Sequence, residues 1–158
     1  MTPERALPAV ALRAACEDDA AIIRGWRNDT DAVRVSATGR PVSQAEHARW
    51  FAETLSDPDR HLWVAEEGGI PVGQVRVDVD GETAVFSIVV APAGRGRGIG
   101  QAMLRCAVTE IERHGLATKL TALAREWNAA SIHAFEQVGF RRRGEPEGGF
   151  VTLELVLG

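Results

Sequence analysis

Residues 92–100 read Pro92-Ala93-Gly94-Arg95-Gly96-Arg97-Gly98-Ile99-Gly100. An apolar run, Ile88-Val89-Val90-Ala91, ends just before them. A helical pattern opens inside them, with Ile99, Met103, Leu104, Ala107, Val108 and Ile111 on one face. A strand, a glycine-rich loop and a helix in that order make an anion site. The first N–H groups of a helix lack partners within it, and the helix dipole adds to their pull. Glycines let a phosphate approach the backbone closely. Two phosphate-binding patterns are excluded. A dinucleotide loop needs G-x-G-x-x-G, but the sixth position counted from Gly94, Gly96 or Gly98 is Ile99, Gln101 or Met103. A Walker A loop needs Gly-Lys-Ser/Thr, which occurs nowhere. A glycine-rich hairpin tip is the other reading, disfavoured by the long amphipathic helix that follows at once.

Working outward, the runs 61–66, 71–79 and 83–91 read as strands, with Gly68-Gly69 and Asp80-Gly81 between them. Asp-Gly between alternating apolar runs signals a hairpin. The third run becomes nearly continuous at Ile88-Val89-Val90, as in a strand covered on both faces. Upstream, 9–15 reads as a first strand, and Glu17-Asp18-Asp19 opens a helix favourably against its dipole. Ser43 with Glu46 reads as a capping box for a second helix. Downstream, the loop helix runs to about residue 114 and stops at Gly115. A strand over 118–124, a helix over 128–138 capped by Asn128, and closing strands at 139–144 and 149–157 follow. The order βααβββαβαββ predicts one mixed α/β (α+β) domain over 1–158, of about seven strands and four helices, with 1–8 a loose terminus.

Composition bounds the rest. The chain has 158 residues, 45% hydrophobic and 25% charged, ordinary for a globular protein that buries a core without staples. A net charge of -4 offers no basic field for nucleic acid. No apolar run approaches the ~20 residues that span a bilayer, and the N-terminus lacks the apolar stretch of a signal peptide, so a cytoplasmic location is expected. Cys16 and Cys106 form neither a disulfide framework nor a metal cluster, and no metal is expected. Of 18 basic residues only Lys119 is a lysine, so side-chain anion contacts would be guanidinium. There is no tyrosine.

Arg95-x-x-Gly98-x-Gly100 resembles the Arg/Gln-x-x-Gly-x-Gly/Ala signature of the GNAT N-acetyltransferase superfamily, and Val90-Ala91-Pro92 resembles its Val-x-Pro lead-in. Asn128, Ser131, Phe135 and Gly139-Phe140 resemble that family's Asn-x-x-Ala/Ser-x-x-x-Tyr-x-x-x-Gly-Phe block. The element order is similar as well, so the resemblance covers most of the chain. It implies an acetyl-CoA site. Backbone N–H groups of Arg95, Gly96, Arg97, Gly98, Ile99, Gly100 and Gln101 would hold the pyrophosphate. The edge of Ile88-Val89-Val90 would bond the pantetheine arm like an added strand, where strand 118–124 splays away. An N–H near Val89 or Val90 would polarise the thioester carbonyl. Asn128, Ser131 and Phe135 would lie beside the arm.

Acetyl transfer needs a neutral amine and a polarised carbonyl, and the departing thiolate is protonated by water or a side chain or leaves unaided. The family often uses a tyrosine for that last task, at the position of Phe135, so here a phenol is excluded. Glu126, at the end of strand 118–124, is the first candidate base, or else a solvated partner for Arg125. His47 is the second, or else an ordinary helix-face histidine. Trp26-Arg27-Asn28, Val33-Arg34 and Glu46-His47-x-x-Trp50-Phe51 are similar to a branch that acetylates nucleotide-linked aminosugars or ribosomal-protein N-termini. Trp26, Trp50 and Phe51 are then either an aromatic acceptor pocket or helix-face core. The resemblance implies a small-molecule amine as acceptor, a nucleotide-linked aminosugar first. Protein N-termini, an amine drug, or a non-catalytic acyl-CoA-binding role are the other readings. Members of the family are often homodimers, but no feature of the sequence marks an interface.

Overall fold

The computed structural model describes residues 6–158. The expectation of a loose terminus lies partly outside that range; residues 6–10 form no regular element. The strands are β1 (Ala11–Ala14), β2 (Arg60–Glu67), β3 (Ile70–Asp80), β4 (Thr83–Val90), β5 (Lys119–Arg125), β6 (Arg141–Glu147) and β7 (Phe150–Val156). The helices are α1 (Ala20–Arg27), α2 (Thr30–Val35), α3 (Gln44–Ser56), α4 (Ile99–His114) and α5 (Ala129–Val138). The seven strands form one sheet in the order β1-β2-β3-β4-β5-β7-β6. Only β4 and β5 pair in parallel. A parallel neighbour needs a crossover, and α4 supplies it.

Alternation along the strands sends side chains to two separate cores. On one face Val75, Val77, Phe86, Leu120 and Leu153 meet the apolar sides of α4 and α5, and Ile88 and Val90 pack onto the same cluster. On the other face Ile23 and Trp26 of α1 and Phe51 of α3 meet Leu62 and Val64, with Val89 against them. Both faces of the β4 end are thus covered, which explains its continuous apolar run.

Among the described residues there are five α-helices where the sequence reading has four. The extra one, α2, is six residues long. No apolar period announces so short a helix; it forms on the Asp29 side chain, which accepts from the N–H groups of Asp31 and Ala32. The capping box at α3 is half present: Ser43 Oγ accepts from Glu46 N–H at 3.1 Å, with no bond returned by the Glu46 side chain among the described residues. The penultimate strand starts at Arg141 rather than 139, because Gly139 at φ +116° ends α5 and Phe140 N–H returns to Phe135 O.

Candidate active site

The parallel pairing of β4 with β5 stops early. Its register runs from Thr83 opposite Lys119 to Phe86 opposite Ala122. Beyond Phe86, β4 continues to Val90 along β3, and β5 continues to Arg125 along β7. The two strands therefore part, leaving Ser87–Val90 as an open edge inside the sheet. Ala91 N–H donates to Val72 O on the β3 side. A Cβ on Gly73 would stand 2.6 Å from Val89 O, so that carbonyl also faces β3. By alternation the N–H and C=O groups of Ile88 and Val90 point into the gap. An extended arm could pair with them as an added strand does.

The glycine loop sits at the end of this edge. A 3₁₀ turn, Pro92–Gly94, leaves β4, and Gly98 caps α4 in the left-handed region at φ +82°. Gly96 takes φ +77°, a conformation side chains rarely adopt. Ala102 N–H donates to Gly98 O, which leaves the N–H groups of Ile99, Gly100 and Gln101 at the open end of the helix. Gly100 packs on Val90, where a Cβ would meet Cγ2 at 3.5 Å. The loop's arginines hold carboxylates: Arg95 bonds Asp29 at 2.8 Å and Asp31 at 3.3 Å, and Arg97 bonds Glu67 at 3.0 Å. Arg95 holds the Asp29 carboxyl below its usual range. These side chains position the loop, and the backbone supplies its free donors.

A cavity of about 350 Å³ lies on the α1–α3 face, floored by Gln74, Arg76, Ser87 and Val89 and walled by α1, α3 and residues 38–42. Val89 belongs both to this floor and to the strand with the open edge. Asn28 fixes the wall, donating to Val42 O at 2.7 Å and accepting from Val42 N–H at 2.6 Å. His47 lines the cavity and is 3% exposed. Its ring packs on Trp50 at 5.4 Å and Phe51 at 5.8 Å, and its Nε2 has no hydrogen-bond partner among the described residues. Burial, then the positive charges of Arg24 and Arg27, pull its pKa below the ordinary value, so the imidazole is neutral at pH 7. Gln74 is buried too, with Oε1 unpartnered among the described residues.

Of the three aromatic residues read as an acceptor pocket, only Trp50 lines the cavity; Trp26 and Phe51 are 7% and 5% exposed in the adjoining core. Glu126 is exposed and outside the cavity lining; its N–H donates to Gly149 O. Asn128 caps α5 by accepting from Ser131 N–H at 3.3 Å. Phe135 does not face the gap in the open: it is 2% exposed and stands edge-on to Phe140 at 5.0 Å. Sequence reasoning missed Gln74, Arg76, Ser87 and Arg40 on the cavity walls. The polar alternation Gln74, Arg76, Asp78 along β3 was the available signal.

The family model for the Acetyltransferase (GNAT) family matches residues 24–140, a span holding the loop, the open edge and all of the cavity lining but Ile23. The chain belongs to the GNAT acetyltransferase family. It is accordingly an acyltransferase using acetyl-CoA. It is 30% identical over 108 residues to the uncharacterized N-acetyltransferase YfmK of Bacillus subtilis, covering 67% of this chain and 72% of that one. It is 29% identical over 104 residues to the ribosomal protein bS18-alanine N-acetyltransferase of Escherichia coli, covering 63% and 70%. Among solved structures, a domain from Methanocaldococcus jannaschii superposes with a TM-score of 0.83 at 21% identity, covering 94% of this chain and 99% of that one. The aminoglycoside acetyltransferase AAC(6')-Ib, solved with acetyl-CoA, gives 0.82 at 22% identity, covering 94% and 93%. At such identities these two establish the fold.

Proposed function

We propose that this GNAT protein transfers an acetyl group from acetyl-CoA to a primary amine seated in the cavity beside Val89. The observation that carries this is the open edge of β4, free after Phe86 and running from the cavity floor to the donors of α4. Bound there, acetyl-CoA would supply an activated thioester. The N–H groups of Ile99, Gly100 and Gln101 would hold its pyrophosphate, and Ile88 and Val90 its arm. His47 is the base in this reading: it is neutral, lines the cavity and has an unsatisfied ring nitrogen. It would take a proton from the ammonium, so that the nitrogen lone pair is free to attack. As the new C–N bond forms, the thioester C–S bond breaks; with no tyrosine in the chain, the thiolate would take a proton from water or from the protonated His47, and the nitrogen's second proton would pass to His47 or to water as the amide forms.

A small molecule suits a cavity of about 350 Å³, and a nucleotide-linked aminosugar remains the first acceptor suggested by the resemblance. The likeness to a bS18-alanine N-acetyltransferase favours a protein N-terminus as the second reading. The test is thiol release from acetyl-CoA against a panel of aminosugar nucleotides, amino acids, polyamines and N-terminal peptides. Turnover with one class supports the proposal and names the acceptor. Acetyl-CoA binding without turnover on any of these amines would refute a primary amine in this cavity as the acceptor.

A further inference from the structure

Three arginines, Arg27, Arg40 and Arg76, line the cavity, against one acidic residue, Glu46. Arg76 already has a carboxylate neighbour: its guanidinium stands over Trp50 at 5.5 Å, and its Nε lies 3.3 Å from Asp78, an ion-pair distance without a hydrogen bond. Arg27 and Arg40 have no carboxylate partner among the described residues. Arg27 is half-buried, and its donors reach only neutral acceptors, Arg40 O and Thr38 Oγ1, both at 3.3 Å. Burial works against its charge, lowering its pKa without an anion to offset it. A guanidinium in such a place has donors left over, and a planar oxyanion matches their fork.

The cavity is also divided. Arg27 at the end of α1 and Arg40 in the connecting segment present positive charge. Glu46 and neutral His47, successive residues of α3, present an acid and a base suited to an ammonium. A simple alkylamine would leave the arginines unpaired, and a polyamine would be repelled by them. From this division, and resting on the acetyl-transfer reading above, we propose that the acceptor is a small primary amine that also carries a carboxylate or phosphate, gripped by Arg27 and Arg40. A nucleotide-linked aminosugar falls within that class through its phosphates, as does an amino acid.

The test uses matched acceptors that differ only in the anion: 4-aminobutyrate against butylamine for the carboxylate, and 2-aminoethyl phosphate against ethanolamine for the phosphate. The expected result is a kcat/KM higher by about 10-fold or more for at least one anionic member, the size of one charge-assisted hydrogen bond. Arg40→Gln, at an exposed site where folding is not at risk, and Arg27→Gln should each shrink that ratio. The two pairs together tell carboxylate from phosphate. Calorimetric titration of the same four compounds into the CoA-loaded protein reads the preference without turnover. If no amine is acetylated yet the anionic members bind more tightly and lose that advantage in the variants, the acetyl-transfer reading fails and the anion site stands. Equal kcat/KM and equal binding within each pair, a preference for the neutral amines, or a preference that both variants keep would overturn the proposal.

Discussion

Gly73→Ala tests the close approach of β3 to β4 beside the open edge. A Cβ at Gly73 would stand 2.6 Å from Val89 O, 2.8 Å from Met103 Sδ and 3.0 Å from Met103 Cε. A carbon–oxygen contact settles near ~3.3 Å, so the Val89 carbonyl must retreat by roughly 0.7 Å. The thioether of Met103 can turn aside, but it is fully buried and its space is shared with α4 and the sheet. The carbonyl is backbone and moves only with its strand. Overpacking of this kind costs about 1–3 kcal/mol, offset by about 0.5–1 kcal/mol from the lower chain entropy of alanine in the unfolded state. At the middle of both ranges the net loss is about 1.3 kcal/mol, a melting temperature lower by roughly 3–5 °C for a chain of this size. Urea and thermal unfolding followed by tryptophan fluorescence measure it. Because Val89 sits between the cavity floor and the edge, acetyl-CoA affinity in calorimetry should weaken alongside. A variant as stable as the parent, with unchanged affinity, would refute the packing argument.

If His47 is the base, His47→Gln lowers kcat/KM by about 10²–10⁴-fold, while Glu126→Gln leaves it within about 2-fold; a steady-state comparison decides between them. The parent's rate should fall on an acid limb below about pH 6.5, a limb absent from the variant. The same depressed pKa keeps stability constant above the ordinary histidine range and erodes it as pH falls below about 6.5, because the unfolded chain takes the proton more readily. Gly98→Asp places a carboxylate at the α4 terminus, in a conformation of φ +82° and with its Cβ 3.2 Å from Leu7 Cδ2; acetyl-CoA binding should be lost, and unchanged affinity in a calorimetric titration would remove the loop from the site. Asp19 accepts two bonds from Arg13 and one from Cys16 N–H, all at 2.8 Å, and Arg13 holds its pKa down to about 2. That pairing stabilises the fold fully above pH 3.8, and the contribution is lost as pH falls toward 2. With Arg13 37% exposed, solvent screens part of it, and Asp19→Asn should cost about 1–2 kcal/mol in urea unfolding at pH 7.

The strands, α4 and the loop were legible because glycines and alternation mark them locally. Gly98 and Gly115 bracket α4 at positive φ, and Gly81 at φ +61° turns the β3–β4 hairpin where Asp80-Gly81 predicted it. Short elements held by one side chain were not legible: α2 rests on Asp29, and nothing in the spacing of Thr30–Val35 distinguishes it from loop. The cavity was beyond reach for a different reason. Arg27, Arg40, His47 and Arg76 come from α1, a connecting segment, α3 and β3, and their convergence depends on how two helices cross the sheet. The two candidate bases differ for the same reason. Glu126 sits near the gap along the chain, whereas His47 arrives at Val89 only through tertiary packing.

Phe135 gives the sharpest case of a family pattern changed in this chain, and Phe135→Tyr tests what the change means. The resemblance sets a tyrosine at this position, where a phenol could protonate the departing thiolate. Here the ring is 2% exposed and packs edge-on to Phe140, itself edge-on to Phe86 at 5.9 Å. A hydroxyl added to so enclosed a ring gains nothing unless it finds an acceptor. Left unpaired, it costs about 1–3 kcal/mol. The expected outcome is therefore a less stable protein with no faster turnover, measured by urea unfolding and by thiol release under saturating acetyl-CoA. Faster turnover with stability unchanged would show that the para position opens onto the gap and that the missing phenol limits the parent. Slower unfolding alone would mean the hydroxyl has found a buried partner. A fall in stability is what an enclosed ring whose hydroxyl finds no acceptor requires.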